Sequence, residues 1–293
     1  MSTALFTFCT LFCLSVAALP ASAQTDSGPL KPFKDDLFSG QIVLSSADGG
    51  ALQVIDYQEL RDINGRDEIP EQRVKRQYVD LAPKRMQELE TISAAGRSID
   101  VGRVGRANGQ GFTVIFIHGR GGDRRLGMKD YTFGGNFNRL KNLTVKNGGT
   151  YYAPSVKSFD QNGVADIAAL IRDAKAKSGE KPVILACASM GSFVCYGISR
   201  DASAVADLKG MAILGGAIDP DFSKSAFIKA KKPIYFTHGS ADKVYSADQQ
   251  AATFRALLKA GVPTRFTLFQ NGTHGTPVRM TDWRAVLNWI LSR

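Results

Sequence analysis

The chain has 293 residues, of which 44% are hydrophobic and 22% charged, and 37 Lys and Arg against 27 Asp and Glu give a formal net charge of +10. This composition is typical of a folded globular protein and excludes disordered, collagen-like and coiled-coil chains. With only three histidines and four cysteines, few residues are available as ligands for a zinc site, and we expect neither a metal nor a cofactor.

Residues 1–23 have the pattern of a secretory signal peptide. They contain no charged side chain, are apolar over residues 4–19, and end in Ala21-Ser22-Ala23, a small-x-small cleavage site. The segment departs from the pattern in having no Lys or Arg before its apolar core. It predicts a secreted or periplasmic protein, cleaved after Ala23 and without a stable membrane anchor. Retention of the segment as an anchor is the alternative.

The basic residues occur in short, scattered clusters, at 73–76, 124–125 and 229–232. None is interleaved with aromatic residues as in a groove that binds single-stranded nucleic acid. We therefore expect no nucleic acid partner and interpret most clusters as solvated faces, with weak attraction to an anionic envelope surface or substrate as the alternative. The sequence leaves the oligomeric state open.

The pattern of secondary structure is weak before residue 106 and regular after it. Residues 24–38 are predicted to be a flexible lead-in, 52–57 and 76–81 to be short strands, and 84–93 to be a helix. From residue 112 onwards, apolar runs rich in β-branched residues occur at 112–117, 151–153, 182–186, 211–214, 233–237 and 264–269. Helical periodicity separates them at 163–177, 247–260 and 281–293. This alternation predicts an α/β fold with a mainly parallel sheet covered on both faces.

The run at 182–186 leads into Cys187-Ala188-Ser189-Met190-Gly191, which is followed by a helical pattern. A serine on a tight strand-to-helix turn presents its hydroxyl at the carboxyl edge of the sheet, and its neighbours must be small so that the backbones can approach. Gly191 meets that demand, whereas Cys187 stands where the usual pattern has glycine.

A glycine-rich loop, His118-Gly119-Arg120-Gly121-Gly122, follows the first regular strand. Such a loop can direct backbone N–H groups at the reacting centre and so form an oxyanion hole. We interpret His118 as a structural residue of the loop. A phosphate-binding loop is less well supported, because the Gly-Lys-Ser/Thr ending of a P-loop is missing.

Asp242 and His274 complete a catalytic pattern with Ser189. Each follows the end of a predicted strand, so a parallel sheet would bring all three to one edge. In such a triad the imidazole takes the serine proton, and the carboxylate orients and stabilises the imidazolium.

From residue 112 to the C-terminus the chain resembles the α/β-hydrolase superfamily, through the motifs at 118–122, 187–191, 238–242 and 272–275. The resemblance implies Ser189 as nucleophile, Asp242 as acid and His274 as base. It also implies an oxyanion hole made by the backbone N–H groups of Arg120 and Met190. We take residues 39–293 as a single domain, because a hydrolase sheet needs strands before residue 112.

The same resemblance assigns roles to two further residues, His238 and Asp219. His238 belongs to the turn that positions Asp242, and Asp219 is an alternative acid, since some family members take theirs from the preceding strand.

The nearest analogues are uncapped members, the small carboxylesterases and dienelactone-hydrolase-like enzymes. Residues 218–232 are too few for the helical lid that the family often inserts there, and the segment 123–140 is the expected substrate-facing loop. The implied function is a serine hydrolase that cleaves an ester of a small or projecting acyl group at an open site. A thioesterase, amidase, peptidase or acyltransferase would use the same triad. A non-catalytic binding protein on a hydrolase scaffold is the alternative outside enzymes.

Cleavage after Ala23 would leave only Cys187 and Cys195. Because they flank a turn and a helix, we expect their side chains to point apart and to be buried as unpaired thiols, with a disulfide as the alternative.

Overall fold

The structure, a computed structural model, describes residues 28–293. The predicted signal peptide at 1–23 lies outside the described residues, so its assignment stays a prediction. Within residues 28–293, no helix has the length and apolar character needed to cross a membrane.

Ten strands form one sheet and two short strands form a separate antiparallel pair. In chain order they are β1 Val43–Ala47, β2 Leu52–Asp56, β3 Asp67–Glu68, β4 Arg73–Val74, β5 Gln87–Ala94, β6 Arg97–Val104, β7 Thr113–Ile117, β8 Thr150–Pro154, β9 Val183–Ala188, β10 Leu208–Leu214, β11 Ile234–Gly239 and β12 Thr264–Gln270. The sheet order is β1-β2-β12-β11-β10-β9-β7-β8-β6-β5, and β3 pairs with β4. Neighbours from β2 to β8 are parallel, whereas β1, β6 and β5 pair antiparallel at the two edges.

The helices cover both faces of the sheet. In chain order they are α1 Asp35–Phe38, α2 Asn136–Lys146, α3 Gln161–Lys177, α4 Gly191–Arg200, α5 Ala202–Asp207, α6 Ala226–Lys229, α7 Ala247–Lys259, α8 Thr276–Met280 and α9 Trp283–Leu291. Alternate side chains of a strand point to opposite faces. Ile115 and Ile117 of β7 pack with α3, α4 and α7, whereas Val114 and Phe116 pack with α2 and α9. The predicted α/β-hydrolase fold is confirmed.

The segment 39–105 contributes strands to both edges of this sheet. Strands β1 and β2 extend it beyond β12, and β6 and β5 extend it beyond β8. Two sequence predictions here are wrong. Residues 76–81 hold a 3-10 turn, Arg76–Tyr78, in place of a strand, and the helix expected at 84–93 is instead the end of a 3-10 turn, Ala82–Met86, followed by strand β5. Strand pairing overrides the local helical pattern, because β5 and β6 form a hairpin whose turn residues, Ala95 and Gly96, both have positive φ.

The described part of the predicted lead-in, residues 28–38, is packed on the domain. Leu30 and Phe38 are buried. The Leu30 N–H donates to Asn288 Oδ1 at 2.8 Å, and Arg284 Nε donates to the Leu30 carbonyl oxygen at 3.0 Å. For these residues the expectation of a flexible segment is wrong, because apolar burial and hydrogen bonds to α9 fix the chain.

Residues 218–232 lie between β10 and β11 and form no helical lid. They form a 3-10 turn, Phe222–Lys224, and the one-turn helix α6. Phe222 and Phe227 are buried in the core cluster between the sheet and α3, α4 and α7. The segment therefore serves packing.

Candidate active site

Ser189 sits in the turn between β9, which ends at Ala188, and α4, which begins at Gly191. Its φ of 51° is in the left-handed region, which is strained for a residue with a side chain. The turn is held by the Ser189 N–H, which donates to the Leu214 carbonyl oxygen at 3.0 Å. A Cβ at Gly191 would lie 2.7 Å from the His118 carbonyl oxygen, so only glycine fits this close approach.

The structure brings Ser189, His274 and Asp242 into one hydrogen-bonded chain. Asp242 follows β11, and His274 follows β12, at the same edge as the Ser189 turn. His274 Nε2 lies 2.8 Å from Ser189 Oγ, and its Nδ1 lies 2.8 Å from Asp242 Oδ2. A carboxylate only accepts hydrogen bonds, so Nδ1 carries the proton, and the Nε2 of the neutral ring can then accept from the serine hydroxyl. The side chain of His274 is 29% exposed, which leaves it accessible from solvent.

Asp242 is held ionised behind His274. Its side chain is fully buried. Burial alone would raise its pKa, but the hydrogen bond from His274, together with those from the backbone N–H groups of Val244 (2.7 Å) and Tyr245 (3.1 Å), outweighs burial and holds the pKa below the usual range. The carboxylate is therefore charged at neutral pH, as an acid that orients an imidazole must be.

His238 and Asp219 lie outside the hydrogen-bonded chain. His238 Nε2 is 3.1 Å from the Tyr245 carbonyl oxygen and 3.2 Å from Asp242 Oδ2, so it packs behind the acid, and burial lowers its pKa and keeps it neutral. Asp219 is paired with Arg200 and accepts from it. Of the two acids considered from the sequence, Asp242 is the one that contacts His274.

The glycine-rich loop lies against the Ser189 turn. Nδ1–H of His118 donates to the Gly119 carbonyl oxygen at 2.7 Å, and its Nε2 accepts from the Val156 N–H at 3.0 Å. Burial lowers the pKa of His118, so it is a neutral anchor of the loop. A Cβ at Gly119 would lie 2.8 Å from the Ser189 Cβ, which shows how closely the loop approaches.

Arg120 and Met190 both line the cavity beside Ser189. Among residues 28–293, neither of their backbone N–H groups donates to another residue. In the described part of the chain both donors therefore have no protein partner beside Ser189, and the oxyanion-hole role that the sequence assigns to them stays a prediction.

An apolar cavity of about 390 Å³ opens beside Ser189. The apolar side chains that line it include Phe116 of β7, Leu126, Phe133 and Phe137 of the segment 123–140, Leu214 of β10 and Val278 of α8. Three of these lie in the predicted substrate-facing segment 123–140. The other three were not identified from the sequence, because an apolar strand residue gives no sign of whether it meets a cavity or the core. The site is thus less open than the sequence suggests.

Cys187 and Cys195 form a disulfide. The expectation of two unpaired thiols is wrong. Cys187 belongs to β9 and Cys195 to α4, and both are fully buried in the cluster between the sheet and that helix. Their side chains point towards each other because α4 folds back over the strand that precedes it.

The described residues contain no cluster of three or more His, Cys, Asp or Glu side chains placed to hold a metal ion.

Comparison with known proteins finds similarity to hydrolases. The model of the dienelactone hydrolase family matches residues 141–283, a span that includes Ser189, Asp242 and His274. No curated protein matches the sequence.

Two solved esterase structures are similar in fold. An esterase from Pyrococcus furiosus is 15% identical, with a TM-score of 0.53 over 73% of this chain and 96% of its own. A thermostable esterase from Pseudomonas putida is 17% identical, with a TM-score of 0.50 over 73% of this chain and 82% of its own. At these identities the similarity shows the fold alone.

Proposed function

We propose that this chain is a serine hydrolase of the α/β-hydrolase superfamily that cleaves carboxylic esters through an acyl-enzyme on Ser189. The observation that carries the proposal is the continuous hydrogen-bonded chain from Ser189 Oγ through His274 to Asp242. A protein that only bound ligands would have no need of this arrangement.

In the proposed reaction Ser189 Oγ attacks the ester carbonyl carbon while His274 Nε2 takes the hydroxyl proton. Asp242 stabilises the imidazolium, and the N–H groups of Arg120 and Met190 hydrogen-bond the negative oxygen of the tetrahedral intermediate. The imidazolium then gives its proton to the departing alcohol. A water molecule, deprotonated by His274 in the same way, attacks the acyl-enzyme, and the imidazolium returns that proton to Ser189 Oγ as the bond to the acyl group breaks and the carboxylic acid leaves.

The acyl group would occupy the apolar cavity. With phenylalanine, leucine and valine side chains as walls, this cavity favours an uncharged acyl chain, and because residues 218–232 form no lid over it, the far carbons of a long chain would project beyond its walls. We propose esters of short acyl groups, from acetyl to hexanoyl, as substrates. The alcohol would project towards the exposed side of the site.

We also propose that the protein acts outside the cytoplasm. The signal-peptide pattern at 1–23 supports export. The Cys187–Cys195 disulfide is consistent with it, because such bonds form and persist mainly in oxidising compartments.

A fluorophosphonate label and p-nitrophenyl esters test the proposal together. The label reacts with an activated serine and not with an ordinary one. We expect the wild-type protein to be labelled and to hydrolyse the butyrate ester, and Ser189→Ala to do neither while melting at the same temperature. Ser223→Ala, at an exposed serine in the 218–232 segment, is the matched control and should retain both properties.

Parallel assays with thioester and anilide analogues of the same acyl group assign the bond type. Faster turnover of either would move the proposal to a thioesterase or an amidase. A wild-type protein that is folded yet neither labelled nor active would contradict the proposal and favour a binding protein.

A further inference from the structure

The Cys187–Cys195 disulfide closes a short covalent loop that contains Ser189. Cys187 lies two residues before the serine at the end of β9, and Cys195 lies six residues after it in α4. Both sulfurs are fully buried. The bond therefore joins the two elements whose junction is the Ser189 turn.

One end of this covalent loop is fixed by the sheet. Cys187 pairs with Ile117 of β7 on one side and with Ile213 of β10 on the other. A strand held between two neighbours in the middle of a ten-stranded sheet cannot shift easily. The bond therefore fixes the position of α4 relative to β9. Its end on the strand is Cys187, at the position where the motif around the serine usually has glycine, which has no side chain.

The Ser189 turn depends on where α4 lies. Ser192, in the first turn of α4, donates through Oγ to the Ser189 carbonyl oxygen at 2.7 Å and accepts from the Ala217 N–H at 2.9 Å. Ser189 itself is in the left-handed region, a conformation that persists only when its surroundings enforce it. A displacement of α4 would therefore allow the turn to relax and would move Ser189 Oγ.

His274 and Asp242 stand on the loops after β12 and β11, outside the covalent loop. Movement of the turn would lengthen the Ser189–His274 contact and leave the His274–Asp242 contact in place. From this arrangement, and resting on the function proposed for Ser189, we propose that the disulfide is a positioning device, which holds the nucleophile at hydrogen-bond distance from His274.

The expected signature is a loss of kcat with little change in KM. A misplacement of about 1 Å can lower the rate on the order of 100-fold, so we expect kcat to fall about 10- to 100-fold when the bond is absent. KM should change little, because most of the apolar walls of the cavity come from other segments and only Ala188 and Met190 belong to the covalent loop. The shape of the pH profile should also persist, since His274 keeps its acid.

The test compares Cys187→Ala/Cys195→Ala with the wild-type protein. If that double variant does not fold, Cys187→Val/Cys195→Ala takes its place, because valine refills part of the volume that the disulfide occupied. Leu143→Ala is the matched control, because it removes buried atoms from α2 on the opposite face of the sheet. All variants are assayed at the same interval below their own melting temperatures, for kcat, KM, pH profile and the rate constant of fluorophosphonate labelling. Intact mass after alkylation establishes whether the bond is present.

A parallel fall in kcat and labelling rate in the disulfide variants, absent from Leu143→Ala, would support the positioning role. Unchanged kcat in the disulfide variants, or an equal fall in the control, would overturn it and leave the bond with a role in stability. If the wild-type protein with its bond intact is neither labelled nor active, the function proposed for Ser189 has failed, and the positioning role falls with it.

Discussion

Replacing Asp242 by Asn should disable the base while the fold persists. The two oxygens of the Asp242 carboxylate accept hydrogen bonds from different donors. Oδ1 takes the N–H groups of Val244 and Tyr245, and Oδ2 takes Nδ1–H of His274. An amide has only one oxygen. With that oxygen facing the two backbone donors, its NH₂ group faces His274 Nδ1 and forces the proton onto Nε2, where it blocks acceptance of the serine proton.

The opposite orientation of the amide would keep the His274 bond and place NH₂ against two backbone N–H groups. It gives up both backbone hydrogen bonds to keep the one from His274 and the 3.2 Å contact with His238 Nε2, whose proton is already shared with the Tyr245 carbonyl oxygen, so we expect the first orientation to prevail. The corresponding replacement in a serine protease lowers kcat about 10⁴-fold through the wrong tautomer. At about 1.36 kcal/mol per factor of ten, that is roughly 5.4 kcal/mol of lost transition-state stabilisation.

The measurement is kcat on p-nitrophenyl butyrate together with the rate of fluorophosphonate labelling. Asp219→Asn is the matched control. It removes a charge that is paired with Arg200 and does not touch His274, so activity should stay within a few-fold of wild type. A larger loss from Asp219→Asn than from Asp242→Asn would refute the assignment of the acid, and with it the reasoning from hydrogen-bond geometry.

Three further outcomes follow. Because hydrogen bonds hold the pKa of Asp242 below its usual range in spite of burial, the acid should stay ionised on mild acidification, and a carboxylate signal of Asp242 that titrates at or above the usual aspartate pKa would contradict this. Each methylene buried in the cavity contributes about 0.8 kcal/mol, or roughly fourfold in kcat/KM, whereas a carbon beyond the apolar walls contributes almost nothing, so activity on p-nitrophenyl esters should rise from acetyl and peak by hexanoyl. Preference for decanoyl esters would contradict that limit and favour a lipase. Finally, removal of the Cys187–Cys195 bond should lower stability by about 2.5 kcal/mol and the melting temperature by roughly 5–10 °C in a thermal scan, and an unchanged temperature would contradict the loop-entropy estimate.

The sequence predicts the interior of the sheet well and its edges poorly. Strands β7 to β12 are parallel and are buried for most of their length. Each therefore corresponds to a continuous apolar run in the sequence, and the ends of these runs lie close to the ends of the strands in the structure. Strand β1 is exposed at every residue, and β5 is mostly exposed or half-buried. Such edge strands carry little hydrophobic periodicity, and their pairing partners decide their conformation. That is why residues 84–93 suggest a helix.

The meeting of Ser189, Asp242 and His274 at one site can be predicted from the sequence for a different reason. A parallel sheet sends every carboxyl strand end to one edge, so chemical groups that directly follow strands meet there whatever their separation along the chain. Ser189, Asp242 and His274 each satisfy that condition. The cavity cannot be predicted in this way, because Phe116 and Leu214 contribute to it from within strands whose other residues are simply core.

The disulfide was missed although the sequence carried a signal for it. Along β9, Ile184 and Ala186 pack towards α2 and α9, so strand alternation places Cys187 on the opposite face, under α4. Cys195 precedes Ile198 by three residues on the helix, and this spacing places it on the buried face of α4. A tight strand-to-helix turn packs the helix against the strand that precedes it. Both cysteine side chains must therefore lie in the layer between the sheet and α4. The cysteine in place of glycine was itself the indication, because a side chain at that position has nowhere to point except at the helix that follows.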